Sequence, residues 1–514
     1  MSTERLRLAE LMAALSLATD LGMGQPLEQT IRTCLLALGV AERMGMGADE
    51  RATIYYVALL RFLGCTADAH EAAAMAGGDE IGLRRAIAPV LGAPDGEFMR
   101  GVLPNVGAGQ NPLRRIGTVA TMMRTGRRVS RAGVAAHCEA ADLLAERLKL
   151  SPAVRTGLSH AFERWNGSGL PDGIEGDAID MSARIVFVAR DVEVLARASA
   201  ATWPATVRKR SGGAYDPDVA HAFVDHAAEL LERIDSGDPW ADVLEAEPEP
   251  HPWVPEGRLD SVLEAFADFV DMKSPSLAGH SRGVAELAGD AAQHAGVSEV
   301  ATDVRRAGLV HDLGRASVPD GIWDKRGPLT SGEWERVRLH PYYTERVLSR
   351  SRVLSQYAAC ASAHHERCDG GGYHRGLRRD ALDISACILA AADSYDAMTH
   401  ERPHRAALPA ESAASQLRAQ ATAGRMHPEA VEAVLVAAGH ARRSVAREWP
   451  AGLTDREIDV LRLICRGATN RLVARRLSIA PATVDHHLRH IYNKTDVKSR
   501  AGATLFALQN GLLE

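Results

Sequence analysis

Aromatic residues are scarce in this 514-residue chain, at 5% of positions, and its seven cysteines form no CxxC pair. In place of aromatics, Ala, Leu, Val, Arg and Glu recur at three- and four-residue spacings, a pattern that predicts amphipathic helices almost throughout. The scattered cysteines (Cys34, Cys65, Cys138, Cys360, Cys368, Cys387, Cys465) argue against a disulfide framework, and no signal-peptide pattern opens the chain. A reduced, cytoplasmic setting is therefore expected. Also missing is any apolar run of the ~20 residues that would span a bilayer, because Arg, Glu or Asp interrupts every candidate helix. Membrane anchoring is excluded on that reading.

Charge is present in both signs but unevenly. The net value is -6, yet residues 450–514 carry ten Lys or Arg against six Asp or Glu, so that segment is +4 and the remainder is -10. The tail is the part suited to meeting phosphates.

Two breaks divide the chain. DPWADVLEAEPEPHPWVPEG, from Asp238 to Gly257, is rich in Pro and Glu and reads as a linker without regular helix (241–257), and REWPAG, Arg447 to Gly452, is a shorter break. The predicted domains are residues 1–240, 258–440 and 452–514. The first two are copies. The segment beginning at His340 lies without gaps over that beginning at His137, matching Glu366 with Glu163, Arg367 with Arg164, Gly370 with Gly167, Gly372 with Gly169 and Gly376 with Gly173. Glycines kept at fixed separations imply the same backbone turns in both copies. Upstream, GLVHDLG around His311 faces ALLRFLG around Arg61 with one residue of slippage, and the first copy holds an insert at about 66–136.

The middle region offers His280, His311, Asp312, His340, His364, His365 and Asp393 on five helical segments. Imidazole and carboxylate without thiolate suit iron, manganese or zinc, and seven such groups are too many for one ion. Two divalent metals bridged by Asp312 are expected, an arrangement that activates water for in-line attack on phosphorus. Segments such as GLVHDLG and ACILAAADSYDAM set charged groups among apolar ones, where they need a metal or a partner.

His280, HDLG at His311, HP at His340, HHERCDGGGY at His364 and AADSYDAM around Asp393 resemble the HD-GYP family, a branch of the HD phosphohydrolases that cleaves cyclic di-GMP. The likeness covers about Ser261 to Gly439. It implies an all-α HD bundle, the seven residues above as ligands, Asp312 and Arg315 as catalytic groups, and Glu366 as a loop-ordering or ligand-supporting group. It also implies Arg402, Arg405, Arg315 and Tyr373 as contacts to substrate, the two arginines of ERPHR suiting phosphate by their forked guanidinium. The chain departs from the family pattern in three places. Arg315 stands for the usual lysine, His374 for the proline of Gly-Tyr-Pro, and Ser276 for a glutamate four before His280.

In the N-terminal copy Arg61-Phe62 replace His311-Asp312, Ala161-Phe162 replace His364-His365, Arg190 replaces Asp393, and His280 falls near Gln29. Only His137 survives. This copy reads as a catalytically dead relative serving dimerisation, ligand sensing or regulation. Its Gly77-Gly78-Asp79-Glu80 spells most of a diguanylate-cyclase signature, but the flanks read as helices rather than the β-hairpin that signature requires.

From Leu453 the chain breaks into four short amphipathic helices. Thr454 and Glu457 form a capping box, and Val484, Leu488 and Ile491 make the inward stripe of the third helix. Thr483, Asp485, His486, Arg489 and His490 face outward on that helix, with Lys494, Lys498 and Arg500 toward its exit; all eight are candidate DNA contacts. LTDRE, GATNRLVARRL, TVDHHL and KTDVKSRAGA resemble the LuxR-type DNA-binding domain, with Asp485 where that family commonly has Lys. A helix-turn-helix of this type reads two half-sites, so a homodimer on DNA is expected.

The fold class expected is all-α: tandem HD-type bundles followed by a four-helix LuxR-type module. The leading functional reading is a transcription regulator that hydrolyses or senses a cyclic dinucleotide or another phosphoester. A non-catalytic metal-containing sensor and a broader nucleotide phosphohydrolase remain as alternatives.

Overall fold

Helices form nearly all of the regular structure because the apolar residues of the sequence recur at helical spacing. The structure is a computed structural model describing residues 6–108, 110–439 and 449–513. Among these the chain is all-α apart from one two-stranded antiparallel pairing, Leu6 with Val254 and Arg7 with Trp253, and three isolated bridges. Part of the break predicted at Arg447 to Gly452 lies outside the described residues. The chain forms two compact units, Met1–Leu259 with Pro319–Gly321, and Asp260–Val318 with Ile322–Glu514.

In the first unit, Leu8–Gly22, Gln29–Arg43, Ala48–Leu60 and Met181–Ala198 build the core, with Leu11, Met12, Leu15, Ile31, Val57 and Ile185 fully buried. The insert is helical too. Ala69–Ala76 and Glu80–Ile87 flank Gly77 and Gly78, and the Asp79 carboxylate caps the second by accepting from the Gly82 N–H at 2.9 Å. The cyclase-like signature thus sits in a helical turn.

The Pro- and Glu-rich stretch is not the irregular linker that the sequence predicts. Asp238 accepts from the Trp240 N–H at 3.1 Å and caps a helix over Pro239–Glu245. Pro239 occupies the first helical position, where its missing N–H costs nothing. Glu247, buried, then takes the Arg7 guanidinium at 2.8 Å and the Tyr56 hydroxyl at 2.5 Å. This segment closes the first unit.

Matching backbone contacts recur in the two copies. Asp20 accepts from the Thr30 hydroxyl at 2.6 Å as Asp271 does from the Ser281 hydroxyl at 2.7 Å. Glu163 takes the N–H groups of Asp172, Gly173 and Ile174, as Glu366 takes those of Arg375 and Leu377. A Cβ on Gly64 would lie 2.0 Å from the His137 carbonyl oxygen, and one on Gly314 1.9 Å from that of His340. These pairs put Gln29 at the place of His280 and Arg61 at the place of His311.

In the second unit Glu256–Asp271, His280–His294, Ala301–Val310, Ser355–Ser362, Ile384–Thr399 and Pro428–Ala438 surround the candidate ligands. The last 60 residues form Asp455–Cys465, Asn470–Arg476, Pro481–Thr495 and Arg500–Gln509, the four helices expected.

Because backbone approaches both glycines, Gly64→Ala and Gly314→Ala should each destabilise their unit by about 1–3 kcal/mol or more. Gly257→Ala, with nothing within 4 Å of its added methyl, should be close to neutral. Chemical denaturation of the three variants checks this, and equal stability would contradict the packing described.

Candidate metal centre and DNA-binding module

Each candidate ligand stands at a helix end or on a buried helix face. His280 and His340 open helices His280–His294 and His340–Leu348, His311-Asp312 follow Ala301–Val310, and His364-His365 follow Ser355–Ser362. Asp393 lies within Ile384–Thr399, whose start is fixed by the Asp383 carboxylate on the Ala386 N–H at 2.7 Å. The structure brings all seven together, six of them buried and His365 half-buried.

Proton positions in this cluster follow from the partners. The Nδ1 atoms of His311, His340 and His364 face the carbonyls of Gly308, Val337 and Ala361 at 2.7, 2.6 and 2.6 Å. A carbonyl only accepts, so each Nδ1 carries the proton and each Nε2 presents a lone pair inward. His340 Nε2 and His364 Nε2 are then 3.1 Å apart with lone pairs facing, and His311 Nε2 and Asp312 Oδ1 have no hydrogen-bond partner among the described residues. Such an arrangement is repulsive until a cation lies among these atoms. The donor set therefore fits metal.

It also fits two metals. Asp312 Oδ1 lies 3.4 Å from His340 Nε2 and 3.5 Å from His364 Nε2, while Oδ2 lies 3.8 Å from His280 Nε2 and 3.7 Å from His311 Nε2. Asp393 Oδ1 sits 3.3 Å from His280 Nε2, and its Oδ2 sits 3.9 Å from His365 Nδ1. Two groups result, His340, His364 and His365 on one side and His280, His311 and Asp393 on the other, with Asp312 between.

Electrostatics keep the two carboxylates and His311 in ligating form. Burial acts to raise Asp312, but His311, Arg315 and the His340 and His364 rings outweigh it and hold the carboxyl well below its ordinary range. Asp393 is likewise held well below, burial being overcome by His280 and His365. Burial lowers His311 to about 4, leaving it neutral. His280 differs: burial and Arg402 push it down, while Asp396 and Asp393 prevail and carry it up to about 9.

Asp396 is the group the sequence reading missed. Its carboxylate takes His280 Nδ1 at 2.6 Å and is buried, so it fixes that ring as the carbonyls fix the others. Its spacing of three from Asp393 in AADSYDAM, which puts both on one helix face, was the available signal. Thr344 was missed as well; its hydroxyl accepts from the Gly314 N–H and donates to the His311 carbonyl, both at 2.9 Å, and so holds the His-Asp turn.

The predicted substrate contacts divide. Arg402 donates to the Ser276 carbonyl at 3.3 Å and lies 3.3 Å from His280 Nδ1, lining a pocket with Ser276, His280, Asp396 and Arg466. Tyr373 stacks on His365, ring centres 4.8 Å apart. Arg315 donates to Asp312 Oδ2 at 2.8 Å with its guanidinium 3.8 Å over the Trp323 ring. Arg405 is turned elsewhere: its guanidinium donates to the carbonyls of Met398, Ala406 and Ala397 and closes the end of helix Ile384–Thr399. A phosphate-facing role does not fit that geometry.

The C-terminal module shows a similar division. The capping box of Thr454 and Glu457 forms, and Val484 and Ile491 are buried with Leu488 packed against them. Thr483, Asp485, His486, Arg489, His490 and Lys498 are exposed. Asp485 accepts from the Asn470 amide at 2.5 Å, which engages the carboxylate that stands where a lysine is usual. Lys494 is drawn to the Gly452 carbonyl and Glu457 at 2.9 and 2.7 Å, and Arg500 donates to the carbonyls of Ile464 and Ala468. Both serve the fold of the module, against the expectation that they face DNA. The module meets the bundle of candidate ligands at Arg476, which pairs with Glu401 at 3.0 Å next to Arg402, and at Ala278, which packs against the module's apolar core.

The HD domain family matches residues 101–219 and 264–429, and the family of bacterial regulatory proteins called luxR matches residues 451–507. A 3'3'-cGAMP-specific phosphodiesterase of Vibrio cholerae is 31% identical over 412 residues, 79% of this chain and 89% of that protein. An alignment of that length exceeds either copy alone. A cyclic di-GMP phosphodiesterase of Thermotoga maritima is 38% identical over 178 residues, 34% of this chain and 47% of its own. Among solved structures, a V. cholerae cyclic GMP-AMP specific phosphodiesterase aligns with TM-score 0.59 and 28% identity, covering 84% of this chain and 98% of that one. Matched over both copies and at its C-terminus, the chain belongs to the HD-GYP family of HD-domain phosphohydrolases, as a tandem with a degenerate first copy, fused to a LuxR-type helix-turn-helix domain.

Proposed function

We propose that this protein is a metal-dependent cyclic dinucleotide phosphodiesterase that also regulates transcription, with 3'3'-cyclic GMP-AMP and cyclic di-GMP as the substrates to test first. The observation that carries the reading is the Asp312 carboxylate, whose two oxygens face two separate groups of imidazoles. The relative aligned over both copies favours the hybrid dinucleotide for the first assay.

Iron or manganese suits the mixed imidazole and carboxylate set, with zinc possible. Bound there, two divalent ions would lower the pKa of water and neutralise phosphate charge. His340, His364 and His365 would hold one, His280, His311 and Asp393 the other, and Asp312 both. Arg402 would bind a substrate phosphate at the mouth of the site, and Tyr373 would offer a ring face to the ligand. Arg315, fixed by Trp323, orients Asp312 and keeps it charged. The sensor alternative draws on the same bond, since Arg315 engages the oxygen that would otherwise be free for the second ion.

The helix-turn-helix supplies the DNA contact, with Thr483, His486, Arg489 and His490 on the recognition helix. Arg476 on Glu401 gives ligand at Arg402 a direct route to shift the module. Two half-sites imply a homodimer, and Leu113, Ile116 and Met123, exposed along helix Pro112–Arg147, provide an apolar face for a second copy. No helix among the described residues is long and apolar enough to cross a membrane. None of the seven cysteines forms a disulfide among the described residues, which suits a reducing, cytoplasmic setting.

Elemental analysis of the purified protein should give two metals per chain, and Asp312→Ala should lose both together with at least ~100-fold in turnover. Confirmed metals with no cleavage of any cyclic dinucleotide would sink the enzymatic reading and leave the sensor. Asp396→Asn should weaken metal binding about 10–100-fold through His280, whereas Arg405→Gln should leave KM unchanged; a raised KM there would return Arg405 to the substrate site. Arg489→Ala should weaken DNA binding, and Arg476→Glu should make DNA affinity insensitive to cyclic dinucleotide. Fluorescence anisotropy reads both, and light scattering of a monomer with and without DNA would count against the dimer.

A further inference from the structure

Acidic residues are absent from Phe98 to Cys138, a stretch of 41 residues that carries seven arginines and no lysine, inside a chain whose net charge is -6. Its greater part lies in helix Pro112–Arg147, which is largely exposed as far as Ala132. Arg124, Arg127, Arg128 and Arg131 follow one another there at i, i+3, i+4 and i+7, so one face presents four guanidinium groups within about 10 Å of helix rise. All four side chains are exposed, and none of these guanidinium groups has an ion-pair or hydrogen-bond partner among the described residues. Surface arginines elsewhere are paired: Arg43 with Glu229 at 3.0 Å and Arg418 with Glu432 at 2.9 Å. Like charges at three- and four-residue spacing repel and weaken a helix. A counter-charge from outside the chain would relieve that repulsion.

The other side of the helix is occupied. Val119 and Met122 pack against the cluster of Ala76, Leu83, Val102 and Val106 in the insert, which turns the arginine stripe outward. Exposed Ile116 and Met123 lie roughly 80° round the helix from the middle of the stripe, whose own face carries only guanidinium groups from Arg124 to Arg131. A bilayer would need a continuous apolar face to enter, and here that side is spent on the insert. Forked guanidinium matches phosphate oxygens, and the stretch uses arginine at every basic position. Meeting four of them along one helix takes an extended polyphosphate, such as duplex DNA with a charge for every ~1.7 Å of its axis. The same chain carries a LuxR-type module that matches over residues 451–507. We propose that the face from Arg124 to Arg131 is a second DNA contact, which grips backbone phosphates without regard to sequence. The choice of DNA rests on the DNA-binding reading of the C-terminal module.

The test measures binding of the full-length protein to duplex DNA of arbitrary sequence across a salt series. Combining Arg124→Ala, Arg127→Ala, Arg128→Ala and Arg131→Ala should make the slope of log affinity on log salt shallower by about 3–4 and lower affinity at least ~10-fold at low salt. Lysine at the same four positions should keep the slope, and Arg418→Ala, which removes a paired surface charge, should leave it unchanged. If the fourfold variant does not fold, Arg127→Gln with Arg131→Gln serves, with about 2 lost from the slope. An unchanged slope overturns the proposal. So does intact DNA binding with lost binding to phosphatidylserine vesicles, which would make the stripe a membrane contact. Arg489→Ala separates the two DNA readings. If it leaves DNA binding intact while the fourfold variant loses it, the module reading fails and the stripe stands; if it weakens binding while the fourfold variant matches the parent protein, the stripe falls alone.

Discussion

Three backbone carbonyls and one carboxylate decide where the protons sit in the candidate metal centre. Because the carbonyls of Gly308, Val337 and Ala361 occupy the outer nitrogens of His311, His340 and His364, their inner nitrogens point lone pairs at the centre around Asp312, while Asp396 holds the outer nitrogen of His280. Each carbonyl lies three residues before the histidine it holds, so one helical turn is enough to fix both ring and tautomer. The chemistry of the site thus depends on helix ends as much as on the ligands themselves. Thr344 extends the same logic to the His311-Asp312 turn by bridging Gly314 and the His311 carbonyl.

The degenerate copy separates the parts of this device that serve the fold from those that serve chemistry. It keeps the Asp20 contact to Thr30, the Glu163 loop bonds and the close approach of Gly64 to His137, and it keeps the His137 ring. What changed are the side chains facing the centre, where Phe62 and Phe162 fill volume and Arg61 and Arg190 bring positive charge. The exchange removes every carboxylate and all but one of the imidazoles from the positions of the candidate ligands while the backbone contacts around them are kept.

Much of this was legible in the sequence. The gapless repeat showed the tandem, polar groups in apolar helices marked His311, Asp312 and Asp393 because burial of a charge demands a partner, and the likeness to the HD-GYP motif supplied the other four. Other features turned on direction rather than identity. Arg405 and Arg500 stand in motifs that suggest phosphate, yet their long side chains fold back onto carbonyls at helix ends, a choice of rotamer that composition does not encode. Pro239 looked like a breaker because its position relative to Asp238, which makes it the first residue of a helix, emerges only once the cap is formed. Asp396 was hidden for the opposite reason: an acidic residue one turn after a ligand reads as solvent-facing until His280 is brought to it from another helix.

The position of the C-terminal module gives these local details a common consequence. Glu401 meets Arg476 of the module while its neighbour Arg402 reaches toward His280, and Asp396, on the preceding helix, holds His280 from the other side. Arg402 thus lies beside one of the contacts between the DNA-binding helices and the bundle. An exposed ion pair is worth only about 1 kcal/mol or less, so the pair is not the whole junction. Ala278, two residues before His280, packs against the apolar core of the module, and a Cβ on Gly467 would lie 3.0 Å from Pro275. The segment that opens the His280 helix therefore touches the DNA-binding helices directly, and backbone packing there as well as the ion pair sets how they sit on the bundle.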